Sequence, residues 1–397
     1  MSRLRGSTSV IVVLLIAYML VYFHRTMTGV MKPEIDYYSR YYGVDANLML
    51  AVMSSAYFYA YVVGQFFMGP IVDYYGVKKA GSLMVAILGV ATLMVSLPNT
   101  IALVVGRALI GLSASIVFLS YMRSSALEFT LGKQGKLTSY ALFAGNVSTI
   151  LATYPLRLML NSVGLPLTLI ALALSTFAIS ASIYVASRDV GRRGSGMSVV
   201  EQAMFLGRIA RNPHSWGVGL AAAASYGIGL AYQSSWGQIH LTEVFSLSKE
   251  DVSTYLMVLA MVFALTSLPT GYLSDRLKRR KPFLLTANVI AVIAWFLMYV
   301  SSIEGDKLLL TASLILVGLS QGVHVVAPTM AKELYDPKIS GTAVAFFNIV
   351  LFTSIALLQS ICPLLNPLTA LAVNIAIALI GIAITTLLVK ETYRIQH

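Results

Sequence analysis

Charged side chains are scarce in this chain of 397 residues. Asp, Glu, Lys and Arg make up 11% of the residues, whereas hydrophobic residues make up 57% and the mean hydropathy is +0.79. A soluble domain carries roughly 25% charged residues, so the composition excludes an ordinary soluble protein. The apolar residues occur in long runs that recur from Val10 to the last residues. Such runs are typical of membrane-spanning helices.

Cysteine is also nearly absent. Cys362 is the only one, which excludes an intramolecular disulfide and a cysteine metal cluster. The sequence contains no Walker loop, no metal-ligand cluster and no nucleophile elbow, so an ATP-driven pump and a membrane enzyme find no support. We therefore expect no metal, no cofactor and no enzymatic activity.

The apolar runs predict an all-α membrane protein with twelve transmembrane spans. The longest polar interruption, from Arg188 to Pro213, divides these spans into two groups of six. We predict an N-terminal bundle of residues 1–190, a cytoplasmic linker of residues 191–213 and a C-terminal bundle of residues 214–397. The predicted spans cover residues 9–31, 48–72, 79–97, 100–122, 136–160, 164–187, 214–238, 252–273, 282–302, 307–330, 339–362 and 366–390.

The distribution of basic residues predicts the orientation. A net charge of +12 would suggest nucleic-acid binding in a soluble chain, but here most basic residues lie in alternate connections between spans. With both termini in the cytoplasm, 21 of the 28 Lys and Arg residues fall in inner loops and tails, and four fall in outer loops. The positive-inside rule then predicts a multi-pass plasma-membrane protein, surrounded by the lipid bilayer, with cytoplasmic termini and no nucleic-acid partner. We expect a monomer.

A loop motif occurs at matching positions of the two halves. Its copies are Gly69-Pro-Ile-Val-Asp73-Tyr-Tyr-Gly76-Val-Lys78-Lys79 and Gly271-Tyr-Leu-Ser-Asp275-Arg276-Leu-Lys278-Arg279-Arg280. Internal symmetry of this kind is expected of a secondary transporter. We expect Gly69 and Gly271 to let helices approach closely, and Asp73 and Asp275 to accept hydrogen bonds from the N-terminus of a neighbouring helix. With Arg276, these four residues form the predicted cytoplasmic gate.

At these loops the chain resembles the major facilitator superfamily, whose signature loop after the second helix has this pattern. Arg107-Ala-Leu-Ile-Gly111 resembles the Arg motif of the superfamily's fourth helix. The resemblance implies twelve helices in two pseudo-symmetric six-helix bundles. The Gly-Pro antiporter motif of the fifth helix is missing from residues 141–160, which disfavours a drug exporter.

A narrower resemblance is to the anion:cation symporters and their uncharacterised bacterial and archaeal relatives. The segments that carry it are Tyr22-Phe-His24-Arg25, Lys332-Glu333, Ser340-Gly-Thr-Ala343 and Asn348.

Three basic residues, Arg25, Arg107 and Arg157, fall within predicted spans. An unpaired cation in hydrocarbon costs at least about 2.5 kcal/mol on insertion scales. Apart from Asp73 and Asp275 at cytoplasmic ends, no Asp or Glu lies within a span. We therefore expect these arginines to lack resident counter-ions, and an anionic substrate would supply the missing charge.

Arg25 is the predicted anion-binding residue. Tyr18, Tyr22, Arg25 and Gly29 are spaced by four, three and four residues and so share one helical stripe, which presents a guanidinium suited to a carboxylate or phosphate. The alternative is a packing stripe whose arginine snorkels outward.

The other two arginines have different assignments. The resemblance implies that Arg107 contacts substrate or takes part in coupling, and the alternative is an arginine bonded to carbonyls of neighbouring helices. For Arg157, near the outer end of span five, we favour snorkelling.

Amides, aromatic rings and histidines complete the predicted site. Tyr226, Gly229, Gln233 and Trp236 are expected to form one stripe on span seven. Such groups suit recognition of hydroxyls or rings, and the alternative for each is interhelical hydrogen bonding or packing. The candidate substrate-binding residues are Tyr18, Tyr22, His24, Arg25, Arg107, Asn146, Tyr226, Gln233, Trp236, Gln321, His324 and Asn348.

We predict a secondary active transporter that moves a small organic anion, a carboxylate or phosphate ester, by alternating access. A proton or a counter-anion is the candidate coupling ion, and His24 and His324 are the titratable groups within spans that would carry a proton. Two alternatives remain: an exporter of amphipathic drugs or metabolites, and a non-transporting receptor or scaffold on the same fold. Unpaired intramembrane arginines favour an anion, and the two Asp loops favour a transporter over a scaffold.

Overall fold

The computed structural model describes residues 2–128, 134–187, 198–336 and 339–393. Within these ranges, nine helical stretches are long and apolar enough to cross a membrane, and one of them, Ala46–Ser96, contains two spans. The chain reverses there at Gly76, whose φ of +77° favours glycine. These nine stretches account for ten spans. Spans five and seven are interrupted helices and bring the number to twelve. The prediction of an all-α protein with twelve spans is confirmed.

The N-terminal bundle contains spans one to six and a short helix, Lys32–Tyr41, between spans one and two. We name it the outer helix after its predicted side of the membrane. Gly164, at φ +77°, separates spans five and six within one continuous helical assignment. In chain order the helices of the six spans are Ser2–Thr26; Ala46–Gly76; Ser82–Ser96; Thr100–Ala114 with Val117–Glu128; Gln134–Leu151 with the first part of Tyr154–Ala186; and the remainder of Tyr154–Ala186.

The C-terminal bundle contains spans seven to twelve. Span seven is broken by two π-helical turns, Ala223–Gly227 and Tyr232–Trp236. In chain order the helices of these spans are Pro213–Ala222, Ile228–Ala231 and Gly237–Phe245; Lys249–Leu277; Lys281–Glu304; Lys307–Val323 with Ala327–Glu333; Ser340–Ile361; and Pro367–Leu387.

Part of the predicted linker is a helix. Residues 188–197 lie outside the described residues, but Val199–Ala210 forms a linker helix that begins with a capping box between Ser198 and Glu201. Its Leu206 and Ile209 pack on Phe346 of span eleven. The linker helix is therefore anchored to the C-terminal bundle.

The two bundles meet along several pairs of helices, including the following three. Span two packs against span eleven, span five against span eight, and the outer end of span one against the second π-helical turn of span seven. The last contact is tight, because a Cβ atom on Gly29 would lie 2.1 Å from the backbone oxygen of Gln233. These pairs define the interface at which residues of both bundles face each other.

Spans two and four approach within the N-terminal bundle at small residues. A Cβ atom on Gly111 would lie 1.9 Å from the backbone oxygen of Tyr57, and one on Gly64 would lie 2.1 Å from Oγ of Ser115. Close packing at small residues is a main source of helix association in membranes. Glycine at these positions thus sets the distance between the two spans.

Gly111→Ala should destabilise the bundle, because the added methyl group collides with rigid backbone. Overpacking costs about 1–3 kcal/mol, which corresponds to a melting temperature lower by roughly 2–5 °C. The matched control is Gly341→Ala in span eleven, where a Cβ atom meets nothing within 4 Å. Thermal unfolding of the purified variants in detergent measures the effect. Equal melting temperatures for the two variants would contradict the proposed close approach.

Candidate substrate site

Arg25 lies at the interface between the bundles, enclosed by aromatic rings. Its side chain is 3% exposed. The guanidinium carbon is 4.5 Å from the ring centroid of Tyr22, 5.6 Å from that of Tyr61 and 4.8 Å from that of Phe352. Tyr22 and Tyr61 belong to the N-terminal bundle, whereas Phe352 comes from span eleven of the other bundle. The cation is therefore held by cation–π contacts from both halves of the protein.

Phenolic hydroxyls provide the polar neighbours of this guanidinium. The phenolic groups of Tyr57, Tyr61 and Tyr226 are its electrostatic neighbours, and Nε of Arg25 has no hydrogen-bond partner among the described residues. Within the described part of the chain, no Asp or Glu forms an ion pair with Arg25. A buried cation with neutral hydroxyl neighbours retains its full charge, so the site is electrostatically suited to an anion.

His324 and Gln321 of span ten extend the site into the C-terminal bundle. The imidazole of His324 stacks on the ring of Tyr226, with centroids 4.2 Å apart and planes at 10°. Its Nδ1 is 2.5 Å from the backbone oxygen of Gln321, which accepts a hydrogen bond and thus places a proton on Nδ1. The side-chain amide of Gln321 is 3.5 Å from the backbone oxygen of Tyr226. One aromatic ring therefore separates His324 from Arg25.

Two predicted amides bridge the bundles. Asn146 of span five donates to Oγ of Ser267 in span eight at 3.1 Å, and Asn348 of span eleven donates to Oε1 of Gln65 in span two at 3.4 Å. Gln233 lies at the outer part of the interface, where its amide is 3.4 Å from the backbone oxygen of Leu256. The Asn146 and Asn348 contacts link the halves, whereas the Gln233 contact lies within the C-terminal bundle.

A family model described as Major Facilitator Superfamily matches residues 14–360. The chain belongs to the Major Facilitator Superfamily. This superfamily is one of membrane transporters and not of enzymes. No curated protein matches the chain by sequence.

Solved structures of superfamily transporters share the fold. A D-xylose–proton symporter superimposes with a TM-score of 0.78 at 12% identity, covering 98% of this chain and 99% of that one. A bacterial homologue of the human lysosomal transporter Spinster, in an inward-facing, occupied conformation, gives a TM-score of 0.73 at 13% identity, covering 96% of each chain. The same homologue in its unoccupied, inward-facing conformation gives 0.72 at 14% identity, covering 98% and 97%. At these identities the likeness establishes the fold alone.

Two predicted site residues of this superfamily member lie inside the N-terminal bundle. Nη1 of Arg107 donates to the backbone oxygen of His24 at 2.7 Å, and its Nε donates to that of Met53 at 3.3 Å. Nε2 of His24 is 3.3 Å from Oγ1 of Thr92 in span three. Because successive helical residues are about 100° apart, Arg25 faces the interface while His24 faces its own bundle. We leave Arg107 and His24 out of the proposed site.

Trp236 is also displaced from the predicted stripe. It packs within the C-terminal bundle, where its ring centroid is 4.8 Å from Tyr232 and 6.3 Å from Trp295. The predicted stripe assumed a regular α-helix, but each π-helical turn in span seven adds a residue and rotates the later part of the span by about 100°. Tyr226 keeps its place at the interface and Trp236 does not.

The prediction that Arg157 lacks a counter-ion and snorkels is wrong. Its side chain is 1% exposed, it forms an ion pair with Glu34 of the outer helix, and it donates to the backbone oxygen of Val30 at 3.1 Å. Nε also donates to Asn161 at 3.1 Å. The sequence placed Glu34 outside every span, but the outer helix folds back over the bundle and brings its carboxylate to Arg157. Arg157 is thereby neutralised.

The superfamily loops contain ion pairs within each bundle. Asp73 accepts from Arg123 of span four at 2.8 Å, and Asp275 pairs with Arg280 at 2.6 Å. The predicted donors, helix N-termini, are thus replaced by arginine side chains. Arg276, which was predicted to take part in the gate, is exposed. Arg280 forms the ion pair with Asp275 instead.

Arg280 also bonds Glu333 of span ten, at 3.1 Å. Burial disfavours the charged form of Arg280, but its hydrogen bonds and charge interactions with Glu333 and Asp275 outweigh this and raise the pKa of its guanidinium above the usual value. Arg280 therefore stays charged and ties together the ends of spans eight and ten that are predicted to be cytoplasmic.

Of the two loop glycines, Gly69 lies at a close helix approach and Gly271 does not. A Cβ atom on Gly271 would meet nothing within 4 Å, and one on Gly69 would lie 3.2 Å from Oε1 of Gln202 in the linker helix. Gln202 donates to the backbone oxygen of Gln65 at 3.0 Å. Gly69 thus makes room for the linker helix, which connects span two with span eleven on the predicted cytoplasmic side.

Glu34→Gln should destabilise the protein, because it leaves the buried Arg157 guanidinium without its charge partner. We expect a loss of about 3 kcal/mol in the free energy of unfolding, measured by denaturant titration in detergent. The control is Asp36→Asn on the same helix, whose 2.8 Å pair with Lys32 is an i, i+4 surface pair and should cost only about 0.5 kcal/mol.

Combining Glu34→Gln with Arg157→Gln should recover part of this loss, because no buried charge then remains unpaired. Equal losses for Glu34→Gln and Asp36→Asn would refute a stabilising role of the buried pair.

Proposed function

We propose that this chain is a secondary active transporter that moves a small organic anion across the plasma membrane by alternating access. The single observation that carries this proposal is the position of Arg25: a buried cation at the interface of the bundles, with no carboxylate partner among the described residues. Arg25 binds the anionic group of the substrate through its planar fork. The resemblance of residues 22–25 to the anion:cation symporters supports the same substrate class.

Contacts on both sides of the membrane form the proposed gates. On the outer side, Asn161 of the N-terminal bundle donates to Glu250 of span eight at 2.8 Å, and Tyr59 lies 3.3 Å from Ser360 of span eleven. On the cytoplasmic side the linker helix and the Asn348–Gln65 hydrogen bond join the bundles. Alternating access requires each set to break in turn.

The coupling ion is a proton or a counter-anion in this proposal. His324 is better placed than His24 to carry a proton, since it stacks on Tyr226, a neighbour of Arg25. Of the alternatives, an amphipathic-drug exporter does not account for the cation at the interface. A scaffold does not account for the two Asp loops, whose ion pairs hold cytoplasmic helix ends.

Arg25→Lys should weaken binding of organic anions about tenfold or more, because lysine keeps the charge but loses the bidentate fork. Thermal stabilisation of the purified protein by a panel of carboxylates and phosphates measures affinity, since a ligand that binds only the folded state raises its stability. The control is Arg40→Lys, at an exposed position of the outer helix. Unchanged anion binding in a well-folded Arg25→Lys protein would remove Arg25 from the site.

Asp73→Asn should shift the population towards states open to the cytoplasm. It breaks the ion pair that holds the end of span two against span four, close to the surface that receives the linker helix. Distances between spin labels at positions 75 and 277, which are 54% and 56% exposed in different bundles, report the opening. The labelled protein carries Cys362→Ala, which removes its only native thiol.

The control for this shift is Asp306→Asn, because asparagine caps a helix about as well as aspartate at this outer position. Identical distance distributions for the Asp73→Asn and parent proteins would rule out a gating role for Asp73. Asp275→Asn tests the second loop in the same way.

A further inference from the structure

The three intramembrane arginines differ in how their charge is compensated. Arg157 pairs with Glu34, so it contributes no net charge. Arg107 donates to two backbone carbonyls and lies 5.0 Å from the Tyr57 ring, and these contacts all come from the N-terminal bundle. Arg25 alone of the three reaches the interface between the bundles. The interface therefore presents one buried positive charge to a substrate.

The single positive charge at the interface determines which net charge of the substrate is favoured. A monoanion makes the closed site neutral, whereas a dianion leaves one negative charge uncompensated in a medium of low dielectric constant. His324 supplies no second cation when neutral, and its Nδ1 proton is already donated to Gln321. The charge balance thus favours a single carboxylate over a dicarboxylate or a doubly charged phosphate monoester.

The rings around Arg25 indicate what the rest of the substrate resembles. The rings of Tyr22 and Phe352 lie 4.5 Å and 4.8 Å from the guanidinium carbon, and the ring of Tyr61 lies 5.6 Å from it. The ring centroid of Phe352 lies 5.8 Å from that of Phe58 and 5.0 Å from that of Tyr61. When the carboxylate group of a substrate binds the guanidinium, the rest of the substrate therefore lies among aromatic side chains. Such side chains pack well on a flat ring.

We propose that the substrate is an aromatic monocarboxylate, and that Phe352, contributed by the C-terminal bundle, selects its ring. This inference rests on the proposed function, because it specifies which anion Arg25 binds. Recognition combines one charge-assisted, bidentate contact from the N-terminal bundle with ring packing from the other bundle. Binding thus requires both halves of the protein to approach the same molecule.

Four probes separate charge from shape in a thermal-stabilisation titration at pH 7.5. Benzoate carries one charge on a ring, terephthalate carries two charges on the same ring, cyclohexanecarboxylate has the charge without aromaticity, and benzamide has the ring without the charge. We expect benzoate to bind at least tenfold more tightly than terephthalate and benzamide, and about threefold more tightly than cyclohexanecarboxylate. Terephthalate binding as tightly as benzoate would overturn the inference.

Phe352→Leu tests the ring selection, because leucine keeps an apolar side chain and removes the aromatic face. The preference for benzoate over cyclohexanecarboxylate should fall about threefold, with binding of cyclohexanecarboxylate within twofold of the parent. The control is Phe66→Leu, at a more exposed position of span two, which should leave both affinities unchanged. An unchanged preference in Phe352→Leu would overturn the role of Phe352.

Arg25→Lys, titrated with the same probes, distinguishes failure of the inference from failure of the proposed function. If a dianion binds best and Arg25→Lys removes that binding, the anion-transporter proposal stands and the monoanion inference is wrong. If no carboxylate stabilises the parent protein at any concentration tested, both are wrong.

Discussion

Compensation of buried positive charge is the constraint on which this structure depends. A cation inside the membrane must find a partner, and the protein uses three different ones: a carboxylate for Arg157, backbone carbonyls for Arg107, and aromatic rings with phenolic hydroxyls for Arg25. Neither Arg107 nor Arg25 has an opposing charge, because carbonyls, rings and hydroxyls are neutral. Only the third arrangement is built from both bundles, and for this reason the substrate proposal centres on Arg25.

The same interface explains why binding and conformational change are coupled in our proposal. Arg25 and Tyr61 belong to the N-terminal bundle, whereas Phe352 and Tyr226 belong to the C-terminal bundle. Any movement that separates the bundles on one side must alter these contacts. A ligand that engages both sets shifts the population towards closed states by its differential affinity. The linker helix, which packs against Gly69, adds a second connection between the bundles on the predicted cytoplasmic side.

Several residues could be assigned from sequence because their positions follow from helical periodicity. Tyr22 and Arg25 were predicted to share a face, and in the structure the Tyr22 ring lies under the Arg25 guanidinium. Tyr57 and Tyr61 were missed, because no pattern in one span identifies which residues of another span it will meet. Trp236 was misplaced because π-helical turns break the period on which its assignment depended. Glu34 was overlooked because it lies outside the apolar runs.

The class of protein, the number of spans and the superfamily can all be derived from the amino-acid sequence, because apolar length, the spacing of polar interruptions and a repeated loop motif are local properties of the chain. The presence of three arginines within the membrane follows from the same local properties. Which of these arginines is available to a ligand depends instead on the tertiary structure. Whether a buried charge is neutralised depends on groups brought together over distances of more than 100 residues in the chain, as with Arg157 and Glu34. That pairing is set by the packing of whole helices, which local periodicity does not encode.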